Sequence, residues 1–170
     1  DYAMLCLMVT AGLRTIEIVR ANVEDIRARG DYTALYVQGK GHDEKNTFVK
    51  LADPVESAIR DYLAARGKAD GAEPLFISHA NRNNGERMTT RSIRRIAKDI
   101  LIAAGFNSDR LTAHSFRHTA ATLNLLNGAS LEETQQLLRH TSINTTMIYS
   151  HALERAKNNS ESRIASAIFG

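Results

Sequence analysis

Tryptophan is absent from this chain, proline occurs twice and cysteine once. A lone cysteine closes no internal disulfide, so packing must hold the fold, and the count suits a reducing cytoplasm, the expected location. Cys6 lies in the apolar run Ala3-Met4-Leu5-Cys6-Leu7-Met8-Val9, where it reads as a small buried hydrophobe. No stretch approaches the ~20 apolar residues of a membrane-spanning helix, so no membrane association is expected. The first residues also lack the basic segment that opens a secretory signal. The glycosylation triplets Asn144-Thr145-Thr146 and Asn158-Asn159-Ser160 arise readily by chance and would need a secretory route to matter. Neither charge sign dominates: 22 Lys+Arg face 19 Asp+Glu, a net +3, which permits nucleic-acid contact without demanding it. Aromatics are scarce at 6%, yet 43% of residues are hydrophobic and 24% charged, the balance of a globular domain.

At 170 residues, with no internal repeat or low-complexity segment, one domain is expected, although the length could just hold two small ones. The chain opens on Asp1, without a starting Met and already in a helical pattern, so it reads as a fragment. An apolar helix is predicted over residues 2–10, ended near Gly12, and a short one from Thr15 to Arg20. Thr33–Val37 and Asn46–Leu51 carry β-branched and aromatic residues on either side of the Gly-rich turn 39–45, a hairpin pattern, with a possible first strand near Asp25–Ala28. Pro54 suits the first turn of a helix burying Val55, Ile59, Tyr62 and Leu63. A loop from Gly67 to Glu73, a short extended piece at Pro74–Ser78 and a polar loop from His79 to Arg87 follow. Thr89 is placed to cap a helix with Ile93, Ile96, Ala97, Ile100 and Leu101 on one face and Arg91, Arg94, Arg95 and Lys98 on the other. Residues 114–127 form the next helix, stopped at Gly128. Ser130 with Glu133 makes a capping box for Leu131–Arg139, and Ser142 opens a helix to about Ser150. The tail from Leu153 to Ile168 reads as polar and helical. The expected fold class is α+β: mainly helical, with one small antiparallel sheet of about three strands.

Four short segments carry chemistry. In His114-Ser115-Phe116-Arg117, a spacing of three puts imidazole and guanidinium on one helical face. One group moves protons and the other grips two phosphate oxygens, although the tetrapeptide alone better describes an unlinked surface pair. Tyr149 follows His140 by nine residues. A tyrosine hydroxyl, with its pKa of ~10, needs a base or nearby cations to become a nucleophile. Read by itself, Tyr149 also fits an amphipathic core position. Arg14, three residues before Glu17, offers a third cation, or merely a surface i,i+3 ion pair. Lys40 sits at the hairpin tip, where a lysine either solubilises or reaches into a cleft to donate a proton.

Taken in order, these segments resemble the tyrosine recombinases, also called phage-integrase-type recombinases. Thr10–Ile18 is similar to the family's first arginine box, and Val37-Gln38-Gly39-Lys40-Gly41 to its hairpin lysine. Thr112–Thr122 resembles its His-x-x-Arg box, and Leu138–His151 its final His and Tyr box. The resemblance covers nearly the whole chain. It implies that residues 1–170 are the catalytic domain, with the family's N-terminal core-binding domain absent. It implies site-specific cleavage and rejoining of double-stranded DNA, as in integration and the traffic of mobile elements, through a 3′-phosphotyrosyl intermediate at Tyr149. Arg14 and Arg117 would clamp the scissile phosphate, Lys40 would be the general acid, His114 the proton acceptor near Tyr149, and His140 a hydrogen-bonding partner of the phosphate. Glu17 would support Arg14. The covalent link keeps the bond energy, so neither cofactor nor metal is expected. The expected partners are DNA and three further copies, as a homotetramer on synapsed DNA and a monomer when free. Residues 153–168 would pack on a neighbouring copy, or else form a frayed polar tail.

Some positions depart from the pattern. Arg139 stands where a Gly often precedes the His, and Phe116 replaces a frequent Leu. Lys45 competes with Lys40 for the acid role, and His118 and His151 neighbour the site residues. Arg91, Arg94, Arg95 and Lys98 are candidate DNA-backbone contacts, or else a solvated helix face. Two other readings stand beside this one: a non-catalytic regulator using Ser130–Ser150 as a helix-turn-helix, and a type IB topoisomerase.

Overall fold

A computed structural model of the chain describes residues 1–39 and 44–169, the side chains of residues 156 and 157 excepted. The chain divides into two compact units, Asp1–Ala120 and Ala121–Gly170.

In the first unit, helix α1 (Tyr2–Thr10) is apolar on nearly every side and buries Ala3, Met4, Leu7 and Met8. It ends where Thr10 Oγ1 donates to the Cys6 carbonyl (2.6 Å) and Gly12 turns left-handed at φ 56°. That reversal sends the chain straight into α2 (Thr15–Arg20). A single 3-10 turn, Val23–Asp25, leads to the sheet, with strands β1 (Ile26–Arg29), β2 (Tyr32–Val37) and β3 (Thr47–Lys50) antiparallel in the order β1-β2-β3. The register pairs Ile26 with Leu35 and Tyr36 with Phe48, so Ile26, Leu35, Val37 and Val49 turn toward the core. The opposite face stacks cations on rings: Arg27 over Tyr36 (4.7 Å), Arg29 over Phe48 (4.3 Å) and Lys50 over Tyr32 (4.4 Å). Such pairs stabilise the solvent side of a small sheet.

Helix α3 (Asp53–Arg66) has Pro54 in its first turn and buries Val55, Ala58 and Ile59. Tyr62 packs on Phe76 at 5.1 Å, and its hydroxyl accepts from the Ile77 N–H (3.1 Å). The segment from Gly67 to Arg87 is tied down more firmly than a polar loop. Isolated bridges join Asn22 to Pro74 and Ile77 to Arg87. The Arg87 guanidinium donates to the Val19 and Ala21 carbonyls and to Asn22 Oδ1 (2.7, 3.2 and 2.7 Å). Helix α4 (Thr90–Ala103) is capped as expected, Thr89 Oγ1 accepting from the Ser92 N–H (3.1 Å), and it buries Ile93, Ala97 and Leu101. Helix α5 (Ala113–Leu126) begins in this unit.

The second unit holds α6 (Leu131–Leu138), α7 (Asn144–Lys157) and α8 (Ser160–Phe169). The Ser130–Glu133 capping box is present, Ser130 Oγ accepting from the Glu133 N–H (3.1 Å) and Glu133 Oε2 from the Ser130 N–H (2.6 Å). Its small core gathers Ala121, Leu138 and Tyr149, with Leu125 against them. Two expectations need correction. The helix holding Tyr149 starts two residues after Ser142 and runs past Ser150 to Lys157. The tail is not one polar helix: Asn158 Oδ1 accepts from the Ser160 N–H (2.8 Å), which starts a separate helix, and Ile164, Ile168 and Phe169 on it are exposed. The fold class is as expected, α+β with one three-stranded antiparallel sheet. Among the described residues, no helix is long and apolar enough to cross a membrane.

Candidate active site

Arg14 precedes the first turn of α2, and the sequence commits Glu17 to it. The Arg14 backbone N–H donates to Glu17 Oε2 (2.7 Å) and its Nη1 to Glu17 Oε1 (2.9 Å). The Glu17 side chain is fully buried while Arg14 keeps 30% of its side-chain surface. The pair is therefore no ordinary surface ion pair. A buried carboxylate fixes a guanidinium that still faces outward, the arrangement that orients a cation toward a ligand.

Arg117 lies one turn into α5 and is only 1% exposed, a rare position for a charged side chain. Its Nη1 donates to the carbonyl of Gly12, 105 residues earlier. The left-handed Gly12 delivers that carbonyl, so the Arg117 side chain ties the His-x-x-Arg box to the backbone of the first arginine box. At the start of α5 the Thr112 hydroxyl accepts from the His114 N–H (3.2 Å), and Ser115 Oγ accepts from the Thr112 N–H (3.0 Å). These bonds occupy the amides that a helix N-terminus leaves unpaired. A cleft of about 720 Å³ is lined by Arg14, Arg117, His114, Arg94, Thr90 and Thr112, among others. Burial, then His118, Arg117 and Arg14, push the His114 imidazole below its ordinary pKa. His118 is lowered too, by burial and then Arg117. A cleft holding three guanidiniums and a histidine biased toward its neutral form can bind a phosphodiester and accept a proton beside it.

In the second unit, Arg139 takes a left-handed conformation (φ 53°), the one non-glycine residue with positive φ among those described. That explains how an Arg stands where glycine is common: the turn is kept and the side chain bears the strain. The turn is fastened by the His140 N–H to the Gln135 carbonyl (3.1 Å) and by Gln135 Nε2 to the His140 carbonyl (3.0 Å). His140 Nδ1 shares a hydrogen bond with Thr146 Oγ1 (2.9 Å), and Thr146 is fully buried. Tyr149, one turn after Thr146, is 6% exposed against Ala121, Leu125 and Leu138.

The structure thus brings Arg14, His114 and Arg117 to one cleft in the first unit, and His140 and Tyr149 to one turn-and-helix in the second. Lys40 lies outside the described residues. Lys45, its competitor, has its ammonium 2.5 Å from Asp25 Oδ2, a carboxylate that is almost wholly buried. Of the four basic residues on α4, Arg91, Arg94 and Arg95 are exposed, and Arg94 lines the cleft. Lys98 donates to the Ser108 and Leu111 carbonyls (2.6 and 3.4 Å) and so holds the approach to α5. Thr146 and the Gly12 carbonyl were missed by sequence reasoning. The three-residue spacing of Thr146 and Tyr149 was the available signal for the first, and nothing local marked the second.

The sequence profile of the phage integrase family matches residues 1–155. The tyrosine recombinase XerC of Corynebacterium glutamicum is 34% identical over 152 residues, covering 89% of this chain and 46% of the relative. That of Pelobacter propionicus is 36% identical over 152 residues, covering 89% and 47%. Among solved structures, the XerA recombinase superposes with a TM-score of 0.72 at 28% identity, over 99% of this chain and 58% of that one. The XerH site-specific recombinase bound to difH substrate, a pre-cleavage complex, gives 0.72 at 26%, over 92% and 44%. The chain spans about half the length of the XerC relatives.

Proposed function

Because the chain belongs to the phage integrase family, we propose that it is the catalytic domain of a site-specific DNA recombinase that cleaves and rejoins strands through a 3′-phosphotyrosine. The observation that carries this reading is the cleft in which Arg14, Arg117 and His114 converge, with Glu17 buried behind Arg14.

The scissile phosphodiester sits between Arg14 and Arg117. Their guanidiniums offset the charge that builds on the non-bridging oxygens as phosphorus becomes five-coordinate, the logic of an oxyanion hole. The Tyr149 phenol gives its proton to His114, its oxygen bonds to phosphorus, and the bond to the 5′-oxygen breaks. Lys40 protonates the leaving 5′-oxygen, and His140, oriented by Thr146, donates to the phosphate. Rejoining runs the same steps backwards with a 5′-hydroxyl from another strand. Tyr149 packs against Ala121 and Leu138, and DNA with neighbouring copies completes the site around it. The active species on synapsed DNA is a homotetramer. Arg94, beside the cleft, contacts the phosphate backbone near the scissile bond, and Arg91 and Arg95 extend that contact.

The test is covalent selection. The chain, and its full-length parent, are incubated with a randomised pool of nicked duplexes in which cleavage releases a short fragment and traps the adduct. Detergent-resistant complexes that enrich one sequence are expected. No adduct from either protein favours the helix-turn-helix regulator, and relaxation of plasmids lacking the enriched sequence favours a topoisomerase.

A further inference from the structure

His114 and His118 are one helical turn apart on α5, with ring centroids 4.6 Å apart and planes at 88°, edge to face. The steps proposed above give His118 no role, and its ring lies against the proposed proton acceptor. We propose that His118 is a positioning residue for His114, its ring holding the imidazole in the orientation that takes the tyrosine proton. The inference rests on the catalytic reading above.

The geometry favours positioning. An 88° edge-to-face contact presents the edge of one ring to the π face of the other, which restrains rotation of the ring. His114 stands near the rim of the cleft with its first-turn backbone fixed by Thr112 and Ser115, so the freedom left to it is that of the side chain. An imidazole with two ring nitrogens must present the right one, and a ring pressed against it sets which.

His118 also acts on charge. Among the described residues, the charged and titratable groups that face His114 in its unit are cationic or able to become so: Arg117 and His118 on α5, Arg14 before α2, and Arg94 on α4 across the cleft. The nearby carboxylate, Glu17, is committed to Arg14. Protonating either histidine therefore disfavours protonating the other, and His118 makes a second contribution to keeping His114 ready as a base.

The experiment follows the His114 ring resonances of the isotopically labelled 170-residue chain through a pH titration, in wild type, His118→Phe and His118→Ala. Phenylalanine keeps a ring edge and removes the charge, while alanine removes both. The titration midpoint of His114 is expected to rise in both variants. On the enriched substrate, the alkaline plateau of the cleavage rate is expected to fall about tenfold in His118→Ala and to recover largely in His118→Phe, as loss and return of orientation predict. A midpoint unmoved in both variants, or a plateau that alanine leaves unchanged, overturns the proposal. Variants that show the shift while the wild-type chain forms no adduct with any DNA refute the catalytic reading and leave the histidine contact measured.

Discussion

The Arg117 guanidinium donates to the Gly12 carbonyl across 105 residues of sequence, and the arginine is almost completely buried. A buried cation is tolerable only when its donors are used, so this bond both stabilises the fold and aims what remains of the fork. Replacing Arg117 by Met should remove the guanidinium bond to the Gly12 carbonyl and cost about 1–3 kcal/mol, read from urea unfolding. Arg117→Lys should keep a charge yet lose the bidentate geometry, lowering the cleavage rate by at least about a hundredfold, the scale of one lost oxyanion donor.

Glu17 is wholly buried beneath a half-exposed Arg14. Glu17→Gln should cost about 1–3 kcal/mol of stability, because an amide offers one acceptor oxygen where the carboxylate offers two, so one of the two Arg14 bonds is lost together with the counter-charge. The larger effect should appear as slower cleavage with duplex affinity little changed, since Arg14 would lose its aim and keep its charge. Gel-shift affinity set beside single-turnover cleavage checks this.

Thr146→Val keeps the shape of the side chain and removes the hydroxyl that bonds His140 Nδ1 at 2.9 Å. The expected result is a stability loss of about 1 kcal/mol, together with reduced cleavage as His140 loses its orientation. Thr146→Ser should recover most of the activity.

Arg139→Gly is expected to stabilise the chain. Its φ of 53° costs an L-residue about 1 kcal/mol that glycine does not carry, less the bond from Arg139 Nη1 to the Leu137 carbonyl (2.7 Å). A higher urea midpoint at unchanged slope would bear this out.

The pH dependence has a definite sign. Burial, His118, Arg117 and Arg14 lower the His114 pKa from 6.5. The unfolded chain therefore takes up the proton first as pH falls. The contribution of His114 to stability is intact above about pH 6.5 and is lost as pH drops through its lowered folded value. As a base, His114 should remain active below the ordinary imidazole range, and the acid limb of cleavage should lie below that of a free histidine. Rate profiles of wild type and the His118 variants report both.

Much of this was legible in the sequence because it was local. The periodic apolar faces of α3 and α4, the Ser130–Glu133 box and the strand pattern each span a few residues. So does the Arg14–Glu17 spacing, and only its burial turns a common surface pair into a support. What escaped was set by distance along the chain or by backbone conformation. The Lys45–Asp25 pair joins residues twenty positions apart, and nothing near Lys45 announces it. Arg139 hides a left-handed turn behind a residue that rarely adopts one. In the tail, counting polar residues concealed Ile164, Ile168 and Phe169, whose exposed positions give α8 an apolar aspect.

The central claim is that Tyr149 is the nucleophile, and mapping the covalent link tests it most directly. After adduct formation, nuclease trimming and proteolysis, mass spectrometry should find a nucleotide joined through its 3′-phosphate to Tyr149, and Tyr149→Phe should give no adduct while still binding duplex. A link to Tyr2, Tyr32, Tyr36 or Tyr62, or an adduct that persists in Tyr149→Phe, would contradict it.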